Sequence, residues 1–292
     1  MKHAILGAGA IGGLIGTVLS SLGEDVTMVV REQRLASYPV NLSLERPSGP
    51  LTAPAKAIAT LAEPVDLLWI ATKTYQLEAA LAAVKSPPGQ VVPLLNGIDH
   101  IAALRATFGN DRVLPATIAV EAEKVSPGRF IQRSPVVRLN FAASGEPLLG
   151  VIVAQLSNRG FSCQFIANEQ TLLWGKLCFL GPFALVTSAS GLHVGEILAD
   201  AAWKKQLTSA VSEACAVANA SGAEIHAAQI QKAFENSPPS MRSSMQKDVA
   251  AGRQLELDAI AGPIARGGKH HGIDVSTTLQ LMAAIRSKSI AA

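Results

Sequence analysis

Three glycines near the start of the chain have the spacing G-x-G-x-x-G and directly follow a short apolar run. They are Gly7, Gly9 and Gly12, and an amphipathic segment comes after them. At a strand–turn–helix junction, the first glycine allows the turn, the second lets the backbone approach a phosphate, and the third lets the helix pack on the strand. Free N–H groups at the start of such a helix bind anions. The spacing therefore predicts a dinucleotide pyrophosphate site made by Gly7, Ala8, Gly9, Ala10, Ile11 and Gly12.

The next apolar run, residues 25–30, ends at a basic residue, Arg31. Chains that bind the unphosphorylated dinucleotide usually have an acidic residue here, on the ribose 2′-hydroxyl. Arg31, with Arg34 one helical turn later, instead favours a 2′-phosphate and predicts NADP(H) as the cofactor. Two alternatives stay open: Arg31 is a solvated charge at a strand end, or Glu32 binds a ribose hydroxyl.

A single cation, Lys176, lies in an otherwise apolar segment of the second half of the chain, within Trp-Gly-Lys-Leu. Further along, Ser-Ser-Met-Gln-Lys-Asp includes Ser244, and Gly-Arg-Gln-Leu-Glu ends at Glu256. These polar residues recur at helical spacing. They are candidates for groups that act together at one site.

The composition indicates a two-domain α/β protein. The chain has 292 residues, of which 49% are hydrophobic, so it can bury sizeable cores. A net charge of +3, with 16% charged and 4% aromatic residues, argues against nucleic acid as a partner and suits small anions.

Three widely spaced cysteines, Cys163, Cys178 and Cys215, lie in apolar segments without a C-x-x-C pair. We expect free buried thiols, which fit a reducing, cytoplasmic location. No signal peptide is expected, because the first apolar residues belong to the glycine turn and its strand. The apolar run over 177–186 is short and broken by Gly-Pro, so we expect a buried helix and no membrane span.

Strand and helix patterns alternate up to about residue 108, as in a doubly wound sheet. Thr74 is expected to cap a helix over 75–84, and another helix is expected over 98–108. Strands over 113–120 and 136–141 are expected to pair antiparallel and complete the sheet edge. Beyond residue 168 the pattern is helical, with breaks at 188–191, 237–239 and 269–273. We therefore predict an NADP-binding, Rossmann-like domain over 1–167 and a helical substrate and catalytic domain over 168–292.

Taken together, these motifs resemble the 2-dehydropantoate 2-reductase (ketopantoate reductase) family. The resemblance spans nearly the whole chain, in order. It rests on the opening GAGAIGG, Arg31, Thr72-Lys73-Thr74, Asn96-Gly97, the W-x-K-L motif at Lys176, and S-S-M-x-x-D with G-R-x-x-E.

The resemblance implies a Rossmann-type doubly wound sheet followed by an all-helical C-terminal domain, with the site in the cleft between them. It implies reduction of 2-dehydropantoate in pantothenate biosynthesis by a monomer or homodimer. Lys176 is then the proton donor and a substrate contact, and Glu256 is the other catalytic residue. Ser244 and Asn96 also hold the substrate. The NADP(H) contacts it implies are the glycine turn, Arg31, Lys73, Asn96, Ala122 and Glu256.

The chemistry agrees with that assignment. Reduction of a ketone needs a hydride on carbon and a proton on oxygen, and a lysine ammonium can both polarise the carbonyl and supply the proton. Burial lowers a lysine pKa, which suits this task. The alternatives are that Lys176 lies on a helix surface with its stem along apolar neighbours, and that Glu256 is an ion-pair partner of Arg253.

The departures from the family pattern concern the substrate. The family usually has asparagines after the lysine, where this chain has Leu180 and Ala184. Fewer amides weaken discrimination in favour of a hydroxyl. Two alternatives to ketopantoate reduction therefore stay open: a reductase of a more apolar 2-oxo acid, and a non-catalytic NADP(H) sensor. No metal site is expected, since the adjacent His270 and His271 cannot point the same way and are predicted to lie in a solvated loop.

Overall fold

The computed structural model describes residues 1–290, and it divides the chain into two compact units. The first unit contains Met1–Leu95 and His100–Ala167. The second begins at Asn168 and also includes the short segment Asn96–Asp99. Residues 291 and 292, at the end of the predicted second domain, lie outside the described residues.

The first unit is a mixture of strands and helices. Its strands are β1 (Lys2–Leu6), β2 (Asp25–Val29), β3 (Asn41–Glu45), β4 (Leu51–Pro54), β5 (Lys56–Ile58), β6 (Leu67–Ile70), β7 (Gln90–Pro93), β8 (Ala116–Ala119), β9 (Ala122–Ser126), β10 (Arg129–Gln132), β11 (Val137–Ala142) and β12 (Phe161–Ile166). Its helices are α1 (Ala10–Ser21), α2 (Glu32–Leu35), α3 (Leu77–Leu81), α4 (His100–Phe108) and α5 (Glu146–Ser157).

The central sheet of this unit is parallel and has the strand order β5-β2-β1-β6-β7. Alternate residues of β6 supply two cores: Leu67 and Trp69 pack on one side, and Leu68 and Ile70 on the other. All four are fully buried, as expected for a parallel strand covered on both faces. The predicted fold class is confirmed.

The later strands form sheets of their own. Strands β8 and β11 pair antiparallel, as predicted, but with β12 they make a separate sheet of order β12-β11-β8. Within the described residues, the β7–β8 segments share one isolated bridge, between Val91 and Val113. Pro93 ends β7 and Pro115 precedes β8, and a proline has no N–H with which to continue a ladder. A four-stranded sheet has the order β4-β3-β10-β9.

The second unit is helical. Its helices are α6 (Glu169–Ser190), α7 (Val194–Ala199), α8 (Ala201–Ala220), α9 (Ala227–Glu235), α10 (Ser244–Ala250), α11 (Leu257–His271) and α12 (Ser276–Ile290). Helix α6 is long and apolar enough to cross a membrane, but 78% of its most apolar window is buried inside the protein. It is the core helix of this unit, as predicted. Asn168 caps its start by accepting from the Thr171 N–H at 3.0 Å.

Three local predictions were wrong or displaced. Thr74 does not cap a helix over 75–84: residues Thr74–Gln76 form a 3₁₀ turn, and Gln76 precedes the shorter α3. The chain leaves α3 early because Val84 bridges to Leu61. His270 and His271 are exposed, but they end α11 instead of lying in a loop, since Gly272 supplies the left-handed residue that terminates this helix.

The cysteines agree with the prediction of free thiols. Cys163, Cys178 and Cys215 are all free; the last two are buried, whereas Cys163 is partly exposed.

The packing of α1 on β1 depends on one glycine. A Cβ atom on Gly12 would lie 2.0 Å from the carbonyl oxygen of Gly7 and 3.0 Å from a methyl carbon of Ile5. A Cβ on Gly9 would meet its nearest neighbour, the Ala71 carbonyl oxygen, at 3.9 Å. The turn therefore excludes a side chain at Gly12 and leaves open space at Gly9.

We expect Gly12→Ala to destabilise the protein by about 1–3 kcal/mol, because the added methyl group forces the turn and α1 apart. The matched control Gly9→Ala should change stability by less than about 1 kcal/mol, the scale of a weaker helix cap. Urea unfolding followed by circular dichroism measures both. Equal midpoints for the two variants would contradict this account of the packing.

Candidate functional site

The glycine turn of the first unit leads directly into the start of helix α1. Gly7 has φ +107°, and a Cβ there would lie 2.8 Å from the backbone after β6, so the turn packs directly on that segment. Gly9 stands at the N-cap of α1 without a side-chain cap, and the first turn of α1 has no acidic residue. The first N–H groups of a helix have no acceptor within it, so they are available to an anion.

Two of the other predicted cofactor contacts of this unit, Arg31 and Lys73, also follow a strand of the central sheet. Strands β1 and β2 are parallel, so the glycine turn and Arg31, which follow them, lie at the same carboxyl-end edge of the sheet. Arg31 precedes α2 and Arg34 lies in it, and both are exposed. Lys73 precedes the 3₁₀ turn after β6. Ala122 begins β9.

The residues at this edge fit a nicotinamide dinucleotide. The backbone at Gly9 faces open space, which is what the close approach of a pyrophosphate requires. The hydroxyl of Thr72, next to the turn, is buried and has no hydrogen-bond partner among the described residues. Such a group normally finds a partner, and a bound ligand can supply one.

The second unit brings three predicted residues into one hydrogen-bonded chain. Lys176 Nζ donates to Asn96 Oδ1 at 3.0 Å. Asn96 Nδ2 donates to Glu256 Oε2 at 3.2 Å. Lys176 lies on α6, and Glu256 is the residue before α11 and only 5% exposed. One amide therefore links an ammonium to a buried carboxylate.

The electrostatic surroundings make Lys176 an unusually acidic ammonium. Removal from water disfavours the charged form and lowers the pKa of Lys176 to about 8, while the charge of Glu256 opposes this shift. The ammonium therefore holds its proton at neutral pH and gives it up more readily than an ordinary lysine. This is the property that a general acid needs.

Asn96 is held in place by its neighbours in the loop after β7. Gly97 has φ +79°, and a Cβ there would lie 2.1 Å from the Ala259 carbonyl oxygen of α11. Two residues later, Asp99 pairs with Arg266 of α11. Arg266 also donates to Asp258 at 3.0 Å. Sequence reasoning missed this ion pair, because Asp99 and Arg266 are 167 positions apart.

Ser244 is not part of the hydrogen-bonded chain. It is exposed at the start of α10, whereas its neighbour Ser243 is buried. Ser243 caps α10 by accepting from the Gln246 N–H at 3.0 Å and lies 2.7 Å from the Thr187 hydroxyl. The first serine of the pair is therefore structural, and the second is accessible to a ligand.

Contacts bear on two other interpretations. Arg253 donates to Asp248 at 2.7 Å and to the Lys247 carbonyl. Ala184 has no exposed surface and lies in the core of the helical unit, so it does not line a binding site. Leu180, one turn after Lys176, is only partly buried.

The described residues contain no group of three side chains suited to a metal ion.

The fold and these residues define an oxidoreductase with a dinucleotide-binding unit and a helical unit that carries a partly buried lysine of lowered pKa. Family comparisons are more specific. The model described as ketopantoate reductase PanE/ApbA matches residues 3–144, and the model of the C terminal part matches residues 168–289. A 2-dehydropantoate 2-reductase from Caulobacter vibrioides is 30% identical, over 98% of this chain and 99% of its own length. The chain belongs to the ketopantoate reductase family, as its motifs predicted.

Solved structures agree on the fold. A 2-dehydropantoate 2-reductase from Geobacter metallireducens has a TM-score of 0.88 at 24% identity, over 98% of this chain and 99% of that one. A D-mandelate dehydrogenase with NADH and anilino(oxo)acetate has a TM-score of 0.86 at 23% identity, over 100% and 99%. At this identity the similarity establishes the architecture alone.

We expect Lys176 to titrate near pH 8, and Glu256→Gln to move its pKa lower still, because the carboxylate stabilises the ammonium. NMR of protein with ¹³C-labelled lysine, with Lys176→Met to assign the signal, measures both values. The exposed Glu235→Gln is the control and should leave the pKa unchanged. A Lys176 signal that titrates with the other lysines would contradict the assignment.

Proposed function

We propose that this protein is an NADPH-dependent 2-dehydropantoate 2-reductase that reduces ketopantoate to pantoate, a step of pantothenate biosynthesis. The observation that carries the proposal is the chain Lys176–Asn96–Glu256, which holds a proton donor of lowered pKa. The relative from Caulobacter vibrioides, named for this activity, supports the choice of substrate. A cytoplasmic location belongs to the same proposal.

The first unit would hold the cofactor. NADPH supplies a hydride when bound. The pyrophosphate would lie on the N–H groups of Ala10, Ile11 and Gly12, with Gly9 leaving room for it. Arg31 and Arg34 would bind the 2′-phosphate, and Lys73 and Ala122 are further proposed contacts. The basic residue after β2, where an acidic one would bind a ribose hydroxyl, is the reason for preferring NADPH to NADH.

The second unit would supply the proton and hold the substrate. The Lys176 ammonium would donate a hydrogen bond to the keto oxygen and then transfer its proton as negative charge develops there. Asn96 would orient the ammonium and contact both the cofactor and the substrate, and Ser244 would bind the substrate carboxylate. Glu256 would keep Lys176 protonated by its charge and would lie near the nicotinamide.

The partly buried lysine also argues against a non-catalytic sensor. Burial of an ammonium is unfavourable unless a partner or a function retains it. A protein that only binds NADP(H) has no need of a proton donor at this place. The hydrogen-bonded chain therefore favours turnover.

We expect Lys176→Ala to lower turnover by about 10²–10⁴-fold, the usual effect of removing a positioned general acid. NADPH binding should stay close to normal, because the residues that would hold most of the cofactor belong to the first unit. Loss of NADPH absorbance with ketopantoate measures turnover, and fluorescence titration measures binding. The exposed Lys85→Ala is the matched control. Near-normal turnover of Lys176→Ala would show that the lysine is structural.

A second candidate function is reduction of a more apolar 2-oxo acid on the same fold. Leu180 stands one turn from Lys176, where the family usually has an asparagine. The neighbouring Phe179 stacks on Phe234, with ring centres 4.2 Å apart. This apolar surface beside the proton donor favours substrates without a hydroxyl, since a buried hydroxyl without a partner costs about 1–3 kcal/mol.

For this second function we expect a higher kcat/KM with 2-oxoisovalerate than with ketopantoate. Leu180→Asn should shift the ratio of these two kcat/KM values towards ketopantoate by about 5- to 150-fold. Steady-state assays of a panel of 2-oxo acids measure the ratio. Leu198→Asn, on a partly buried leucine of α7, controls for loss of an apolar side chain elsewhere in this unit. A preference of the unmodified protein for ketopantoate of about tenfold or more would exclude this second function.

A further inference from the structure

A lysine outside the predicted site reaches the glycine turn of the first unit. Lys124, on β9, donates from Nζ to the carbonyl oxygen of Ala8 at 2.9 Å. Ala8 lies between the first two glycines of the G-x-G-x-x-G pattern. The bond therefore fixes an ammonium group at the turn where the pyrophosphate and its adenosine end are proposed to bind.

The sheet that contains β9 is packed tightly against α1, so this contact is built into the fold. Strand β9 pairs antiparallel with β10. Phe130 of β10 is 1% exposed, and its ring fills the space beside Gly13, where an added Cβ would lie 2.1 Å from it. A buried aromatic anchor of this kind holds the neighbouring strand in position.

The surroundings of Lys124 are basic. Partial burial lowers its pKa, and the positive charges of Arg34 and Arg31 lower it further. Glu123, the acidic residue next to Lys124 in sequence, forms an ion pair with Arg133, in which Oε2 and Nη2 are 2.5 Å apart. Lys124, Arg31 and Arg34 are thus close enough for their like charges to repel each other. A bound polyanion would attract all three cations and so offset their mutual repulsion.

We propose that Lys124 is a third cationic contact for the 2′-phosphate of NADP(H), and so a specificity-determining residue alongside Arg31 and Arg34. An ammonium has three N–H donors, and the Ala8 carbonyl uses one, which leaves two for a phosphate. The existing bond also holds the long side chain in place before the ligand arrives, so less conformational freedom is lost on binding. This inference rests on the proposed NADPH dependence of the protein.

The test compares two nucleotides that differ only in the 2′-phosphate: adenosine 2′,5′-bisphosphate and adenosine 5′-monophosphate. Isothermal titration calorimetry on the full chain gives the affinity of each. Lys124→Gln should weaken the bisphosphate about tenfold, the lower end for a charge-assisted hydrogen bond, and leave the monophosphate within about twofold. Arg31→Gln should act in the same direction. Lys85→Gln, on an exposed lysine of the same unit, removes an equal charge and should change neither affinity.

The outcomes separate this inference from the function on which it rests. Equal weakening of both nucleotides would mean that Lys124 only shapes the turn, and no change in either would mean that it does not touch the phosphate; both results overturn the inference while the unmodified protein still prefers the bisphosphate. An unmodified protein without that preference would overturn the proposed cofactor, and the inference with it. Lys124→Arg keeps the charge and should retain most of the preference, which guards against a folding defect in the glutamine variant.

Discussion

The candidate site in the helical unit is arranged around one charged group, the ammonium of Lys176, and depends on the contacts that stabilise it. A charge in an apolar helix is tolerated only with partners, and here the nearest partner is the oxygen of Asn96, a residue 80 positions earlier. Asn96 in turn donates a hydrogen bond to the buried carboxylate of Glu256. The amide thus contacts both groups, and the charge of Glu256 also favours the ammonium. Removal from water lowers the pKa of this lysine to about 8, so the ammonium form still predominates at neutral pH.

This arrangement explains features that otherwise look unrelated. The segment Asn96–Asp99 packs with the helical unit although the chain on both sides of it belongs to the other unit. Gly97 must lack a side chain, because the backbone of α11 at Ala259 occupies that space. The pair between Asp99 and Arg266 closes the segment onto the same helix. Each contact limits the movement of Asn96 and so keeps its hydrogen bond with Lys176 in place.

The dinucleotide-binding unit applies a different constraint, which is the space available around a backbone turn. Gly7 and Gly12 are required where the turn, the strand and the helix come into contact, whereas a Cβ on Gly9 would meet no close neighbour. Charge is added to this frame from separate strands: Arg31 follows β2, and Lys124 extends from β9 to the Ala8 carbonyl. Selectivity for a phosphorylated ribose would then depend on residues from two different sheets.

Local spacing was enough to predict the alternation of strands and helices, the buried core helix around Lys176 and the glycine turn, because each depends on residues a few positions apart. The motifs also placed the chain in its family. Sequence reasoning did not show that β8 and β11 form their own sheet, that Ala184 is enclosed in the core, or that Arg253 pairs with Asp248. The hydrophobic periodicity of a sequence predicts which face of a helix or strand is apolar, but not which other element packs against that face. The sequence by itself thus determined which residues could do chemistry; the tertiary structure decided the partners of Lys176 and Lys124, since those contacts join segments 80 and 116 positions apart.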